Sequence, residues 1–291
     1  MVKIHSLNCA TLCPPCRRAV NGDGGYLESG AMICHCLLIE TAQDGLILVD
    51  TGFGIEDCQA PQRRLGLSIR ATSRPVLQER ETAVRQVEAL GFKASDVRQI
   101  LLTHLDLDHA GGLSDFPAAT VHLLAEEKRA AEGRNTWLAR SRYRPEQWRH
   151  VNRWELYSEA EGECWKGLRN ARRVRGIRED ILMIPLIGHT FGHAGYGIDQ
   201  GVGSFLHCGD AYFNGASVRG RATGQRVPWG MARFQQLVAT DRVRMNETQA
   251  ELMALYERES IAPNPLEIFC AHDPQEQVSF LKSLGNRVLR S

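Results

Sequence analysis

Thr103-His104-Leu105-Asp106-Leu107-Asp108-His109-Ala110-Gly111-Gly112 decides how this chain is read. Residues 104–109 follow the pattern His-x-Asp-x-Asp-His, two imidazoles and two carboxylates, each a hard or borderline metal ligand. Given the chain's own His and Asp content, chance produces this pattern in about one such sequence in a thousand. Before it, Ile100-Leu101-Leu102 reads as a buried strand. After it, Ala110-Gly111-Gly112 reads as the opening of a tight turn or helix. Ligands at a strand end are held by rigid structure and still face open space.

Working outward, residues 31–40 predict a strand, Gln43-Asp44-Gly45 a hairpin turn, and Leu46-Ile47-Leu48-Val49 the return strand, which ends in Asp50-Thr51-Gly52. Ala83, Val87 and Leu90 share one face of a helix over 77–90, with Gly91 as its stop. Further strands are expected at Thr120–Leu124, Ile181–Leu186, Ser204–Cys208 and Glu267–Cys270, the last followed by a short helix. Residues 231–258 read as helix. The stretch 126–180 differs: it holds Trp137, Trp148, Trp154 and Trp165, many arginines and no alternating pattern. It reads as a mostly helical insertion that could serve as a substrate lid, a dimer surface or both. Its acids, Glu126, Glu127, Glu132, Glu146, Glu155, Glu159, Glu161 and Glu163, read as a solvated helical face. Alternating strands and helices without repeats imply one layered α/β domain over 1–291.

The 291 residues carry a net charge of +1, with 43% hydrophobic and 24% charged residues. That composition suits a globular core and supplies no field to attract nucleic acid or a membrane. Met1-Val2-Lys3-Ile4-His5 lacks the apolar core of a signal peptide, so a cytoplasmic location is expected. Nine cysteines then read as reduced thiols. Cys9, Cys13 and Cys16 cluster, but a structural zinc takes four ligands and no fourth stands nearby, so they read as thiols in a proline-stiffened loop.

Five strand-end turns deliver polar residues: Asp50; His104 to His109; His189 and His193; Asp210; and His272 with Asp273. In order and context, Val49-Asp50-Thr51-Gly52, Thr103 to Gly112, Gly188-His189-Thr190-Phe191-Gly192-His193, Gly209-Asp210 and His272 resemble the metallo-β-lactamase superfamily. The resemblance spans most of the chain outside 126–180. It implies a four-layer αβ/βα sandwich and two divalent metal ions. One ion would be held by His104, Asp106 and His193, the other by Asp108, His109 and His272, with Asp210 bridging. Asp50 would brace the metal-binding loop, and Thr103, His189 and Thr190 would support the ligands. Many members have His where this chain has Asp106. A carboxylate is harder and adds negative charge, so zinc is expected with a relative shift toward manganese or iron.

The chemistry implied is hydrolysis by a metal-bridging hydroxide at a carbonyl or phosphoryl centre. Asp108 would orient the hydroxide or shuttle its proton, and Tyr212 would donate to the oxyanion or leaving group unless it packs beside Phe213. The stretch Ile268 to Glu276 is similar to the end of N-acyl homoserine lactone lactonases. Those enzymes carry a tyrosine three residues after the bridging aspartate, where this chain has Phe213. A lactone or small carboxylic ester is therefore the expected small-molecule substrate. The alternatives are a phosphodiesterase or nuclease, for which the arginines of 126–180 and Arg219-Gly220-Arg221 could bind phosphate, and a thioesterase of the glyoxalase II kind. A flavin-linked diiron protein would need a further domain, and a non-catalytic binder would be expected to have lost ligands.

Overall fold

A computed structural model describes residues 2–199, 203–262 and 264–288, so the outermost ends of the domain expected over 1–291 lie outside the described residues. The strands are β1 (Lys3–Leu12), β2 (Met32–Glu40), β3 (Leu46–Val49), β4 (Pro75–Val76), β5 (Val97–Leu101), β6 (Thr120–Leu124), β7 (Trp154–Tyr157), β8 (Glu163–Trp165), β9 (Leu168–Arg173), β10 (Ile181–Pro185), β11 (Ala194–Asp199), β12 (Ser204–His207) and β13 (Glu267–Phe269). They form two sheets, in the orders β4-β1-β2-β3-β5-β6-β7 and β13-β12-β11-β10-β9-β8. Ile4, Leu37, Ile39, Ile47, Val49 and Leu101 of the first sheet meet Met183, Tyr196, Ile198, Phe205 and Phe269 of the second in a shared core. Leu38, Leu48, Ile100 and Val121 point the other way, toward helix Ala83–Ala89 and the turns that flank it. The second sheet's outer face, with Ile184, Leu206 and Ile268, is covered by helices Ala216–Thr223 and Arg242–Glu259. The result is the expected αβ/βα sandwich of four layers, in which period-two alternation lets each strand feed two cores.

The stretch 126–180 departs from its sequence reading. Only its first half is helical, at Ala125–Gly133, Trp137–Arg142 and Pro145–Trp148. Its second half is β7, β8 and β9, which close an edge of each sheet: β7 pairs with β6, and β9 with β10. β7 and β8 are the edge strands, with β9 paired between β8 and β10; the three are rich in Arg, Glu and Trp, and a strand at or next to an edge needs little apolar alternation. Helix 231–258 is really two helices, Trp229–Val238 and Arg242–Glu259. The break is fastened to the loop after β10, where the Thr240 and Asp241 amides donate to the carbonyls of His189 and Gly188. Cys9 lies within β1 and is buried, while Cys13 and Cys16 follow that strand half-buried.

Topology brings the chemistry-bearing turns together. β3 and β5 run parallel, as do β12 and β13, so each pair ends at one edge of its sheet. The two edges are stitched by backbone bonds: Ala194 N donates to Thr103 O, and His35 N to Ala271 O. Loops at the carboxyl ends of parallel strands are the usual place for a site in such folds.

Three buried histidines outside the motif turns have their pKa values lowered. Burial, then neighbouring His207, pushes His35 well below the ordinary imidazole value. Burial lowers His207, and burial and then Arg175 take His122 down to about 4. The His122 ring sits between Tyr157 OH and Gln99 Oε1, each 2.8 Å away. Because the unfolded chain takes up a proton near 6.5 and folded His122 only near 4, its contribution to stability is complete above pH 6.5 and is lost as pH falls toward 4. Urea unfolding of metal-free protein should therefore weaken from pH 6.5 to 5, and His122→Gln should remove about 1.4 kcal/mol per pH unit of that slope. An unchanged slope in the variant would rule out this role.

Candidate metal centre

The turn after β3 sets the floor of the site. Asp50 has a left-handed backbone (φ 57°) and is buried. Its Oδ1 accepts from Thr103 N at 2.8 Å, and its Oδ2 accepts from Thr103 Oγ1 and from His109 Nδ1, each at 2.8 Å. Thr103 Oγ1 in turn accepts from His104 Nδ1 at 2.9 Å, and His272 Nδ1 donates to Ile33 O at 2.7 Å. Each ring is thus anchored through Nδ1 and presents Nε2 inward, the arrangement that orients metal-binding histidines. Gly209 lets Asp210 approach: its φ is +51°, and a Cβ there would lie 2.6 Å from His193 Nε2.

Two groups of donors result, one of His104, Asp106, His189 and Asp210, the other of Asp108, His109 and His272. Asp210 faces both. Its Oδ2 lies 3.7 Å from His104 Nε2, 3.4 Å from His189 Nε2 and 3.2 Å from His272 Nε2, while its Oδ1 lies 3.2 Å from His109 Nε2 and 3.1 Å from His272 Nε2. Asp106 Oδ2 is 3.0 Å from His189 Nε2, and Asp108 Oδ2 is 3.6 Å from His272 Nε2. Four tetrahedral donors at about 2.0–2.1 Å from an ion stand about 3.4 Å apart, so both groups have the spacing of a metal site. The Asp106 and Asp108 side chains keep 17% and 18% exposure while the imidazoles are buried, which puts the open side at these two carboxylates.

Buried His104 Nε2, His109 Nε2, Asp106 Oδ1 and Asp210 Oδ1 have no hydrogen-bond partner among the described residues. Orphaned buried polar atoms are costly; Asp106 Oδ1 faces the Arg142 guanidinium, while His104 Nε2 in the first group and His109 Nε2 and Asp210 Oδ1 at the second fit the cations they would coordinate. Electrostatics agree. Burial opposes ionisation of Asp210, yet His272 and His109 hold its carboxyl well below the usual range. Burial likewise opposes charge on His109, which Asp210 and Asp50 raise well above an ordinary imidazole. The nitrogen and carboxylate donors suit zinc and its first-row neighbours.

Two sequence expectations fail here. His193 joins neither group, because both its ring nitrogens are used. Nδ1 donates to Leu186 O at 2.9 Å, and Nε2 accepts from Asp210 N at 2.8 Å. His189, expected only to support, stands in its place. Tyr212 does not reach the site: it is fully buried in the outer core, with its hydroxyl 3.2 Å from both oxygens of Glu276. Burial raises Glu276 to about 7 despite Arg219. The aromatic at the site is Phe213, stacked on His272 with ring centroids 5.2 Å apart and edge-on to His189 at 5.5 Å. Tyr212→Phe should cost about 1 kcal/mol of stability and keep activity within about twofold. A hundredfold loss would return the phenol to the chemistry.

Two residues at the site escaped the sequence reading. Glu127, read as part of a solvated face, is fully buried and accepts from Leu105 N at 3.0 Å and Gly192 N at 3.2 Å. Arg142 is buried with its Nε 3.3 Å from Asp106 Oδ1. Both lie in the first half of 126–180, so that segment forms a wall of the site.

The profile of the metallo-beta-lactamase superfamily matches residues 29–256. A protein of Mycobacterium tuberculosis described as a probable metallo-hydrolase is 42% identical over 273 residues, 94% of this chain and 81% of its own. An N-acyl homoserine lactonase, AttM of Rhizobium johnstonii, is 40% identical over 80 residues, 28% of this chain and 30% of its own. A solved mutant of Bacillus thuringiensis AiiA, with N-decanoyl-L-homoserine bound at its active site, shares the fold, with a TM-score of 0.69 at 21% identity over 96% of each chain. Because the profile runs from before Asp50 past Asp210, taking in four of the five motif turns, the chain belongs to the metallo-beta-lactamase superfamily and is a metallo-hydrolase.

Proposed function

We propose that this metallo-hydrolase is dinuclear and opens a lactone or another small carboxylic ester. The observation that carries the reading is Asp210, whose carboxylate stands between the two donor groups, with Oδ2 toward His104 and His189, Oδ1 toward His109, and both oxygens near His272. His104, Asp106, His189 and Asp210 would hold one divalent ion, and Asp108, His109, His272 and Asp210 the other. Zinc is the first candidate for both. Such ions supply Lewis acidity and make water nucleophilic near neutral pH. Asp108, on the open side, orients the attacking water and takes its proton at a carboxylate oxygen. Phe213 has no hydroxyl to donate, and by stacking on His272 it shields that ring from water. The lactone preference is supported by the segment shared with the lactonases. No helix among the described residues is long and apolar enough to cross a membrane, and a small-molecule substrate accords with the near-neutral charge.

Metal-stripped protein should be inactive on a γ-lactone and on p-nitrophenyl acetate, and zinc or manganese should restore the activity. Cleavage of bis-p-nitrophenyl phosphate with no action on either ester would replace this reading with the phosphodiesterase one. Activity that survives removal of all metal would end both.

A further inference from the structure

Asp106 is the residue that departs from the commoner histidine pattern, and the fold gives it a partner. Arg142 ends the helix Trp137–Arg142 and is buried, with 8% exposure. Its Nε stands 3.3 Å from Asp106 Oδ1, the oxygen that has no hydrogen bond, while Asp106 Oδ2 faces His189 and His104. Its Nη1 donates to His189 O at 2.8 Å, and its Nη2 donates to Val238 O. One guanidinium therefore touches the side chain of one first-group donor and the backbone of another. A buried arginine is tolerated only when paired, and its planar fork suits several acceptors at fixed angles.

We infer that Arg142 is the counter-charge that allows an aspartate at position 106. The inference rests on the first donor group being a metal site. Asp106 and Arg142 together are formally neutral, as a histidine at 106 would be. The extra negative charge expected of Asp106 is thus offset, and with it the electrostatic reason for a shift from zinc toward manganese or iron.

The test is a double-mutant cycle with Asp106→His, Arg142→Met and their combination. Zinc uptake by metal-free protein is followed against a chromophoric chelator, and melting temperature is measured with and without zinc. Wild type should take up two zinc ions. Asp106→His leaves the guanidinium without a carboxylate and adds its charge to that of the ion, so the weaker zinc should bind about tenfold less tightly or worse. The double variant, neutral again, should recover to within about threefold of wild type. Arg142→Met alone should melt lower without metal, because it leaves a buried carboxylate unpaired, and should gain more from zinc than wild type does. If Asp106→His does not fold, Arg142→Lys decides: it should keep the wild-type zinc-induced rise that Arg142→Met enlarges. A double variant no better than Asp106→His, or equal rises for Arg142→Lys and Arg142→Met, overturns the inference. Wild type that takes up no zinc overturns the metal-site reading as well, and so is distinguishable from failure of the inference alone.

Discussion

Asp210→Ala should lose both metal ions and the hydrolytic activity while keeping the fold. Each donor group has three other members, but only Asp210 stands between them, its carboxylate 3.1–3.7 Å from four imidazole nitrogens drawn from both groups. Its removal costs both groups a ligand and the negative charge they share. Activity should fall by more than about 100-fold, beyond the range for residues that only support a ligand. Metal content should drop from two equivalents to less than one. The fold should survive, because the His109 charge depends on Asp210 and Asp50, and with Asp210 gone burial favours a neutral ring that needs less compensation. Circular dichroism therefore separates loss of metal from loss of structure. Asp210→Asn keeps the shape with one oxygen and no charge, and should retain one weakly held ion at most. A folded Asp210→Ala protein with two ions and full activity would refute the bridging role.

What the sequence could show was set by how local each signal is. The strand β5, its His-x-Asp-x-Asp-His turn, the β2–β3 hairpin and Asp50 are written in contiguous residues, and each lies where its pattern places it. The four layers follow from alternating elements. β11 is hidden in the sequence because Gly195 and Gly197 interrupt its apolar alternation, though both are in register against β10 and Gly197 also against β12. β1 is not legible locally because a bulge between Asn8 and Thr11 breaks its period, so that Leu7 and Cys9 alternate but Leu12 falls out of step with them. His189 and His193 stand four residues apart in one loop, and nothing local says which keeps a free nitrogen. That depends on Asp210 N, which reaches His193 from 17 residues away in sequence. Tyr212 and Phe213 differ by one position, and so point in opposite directions from the turn after Asp210. Glu127 and Arg142 look like surface charges because their partners, Leu105, Gly192, Asp106 and His189, are supplied only by the tertiary fold.

Glu127→Ala should destabilise the protein and loosen the first donor group more than the second. Glu127 stands in the first turn of helix Ala125–Gly133 with no solvent exposure. One oxygen accepts from Leu105 N, between His104 and Asp106, and the other from Gly192 N, three residues past His189. A single carboxylate thus ties together the two loops that supply three of the first group's four donors. The fit is tight, since a Cβ on Gly192 would come within 2.1 Å of Glu127 N. Alanine leaves two buried amides without acceptors, at about 1–3 kcal/mol each. For a chain of this size that lowers the melting temperature by about 5–15 °C. Released from each other, the loops hold Asp106 and His189 less well aligned, so zinc affinity of the first group should fall about 10–100-fold. Asp108, His109 and His272 make no contact with Glu127 in the hydrogen-bond network and should change less. Glu127→Gln keeps the shape and one good acceptor but turns an amide donor toward the other N–H, so it should fall between wild type and alanine. Elemental analysis and melting curves of the two variants side by side check this order. Wild-type zinc affinity and melting temperature in Glu127→Ala would mean that the loops are held apart from the 126–180 segment and that its contact with the site is incidental.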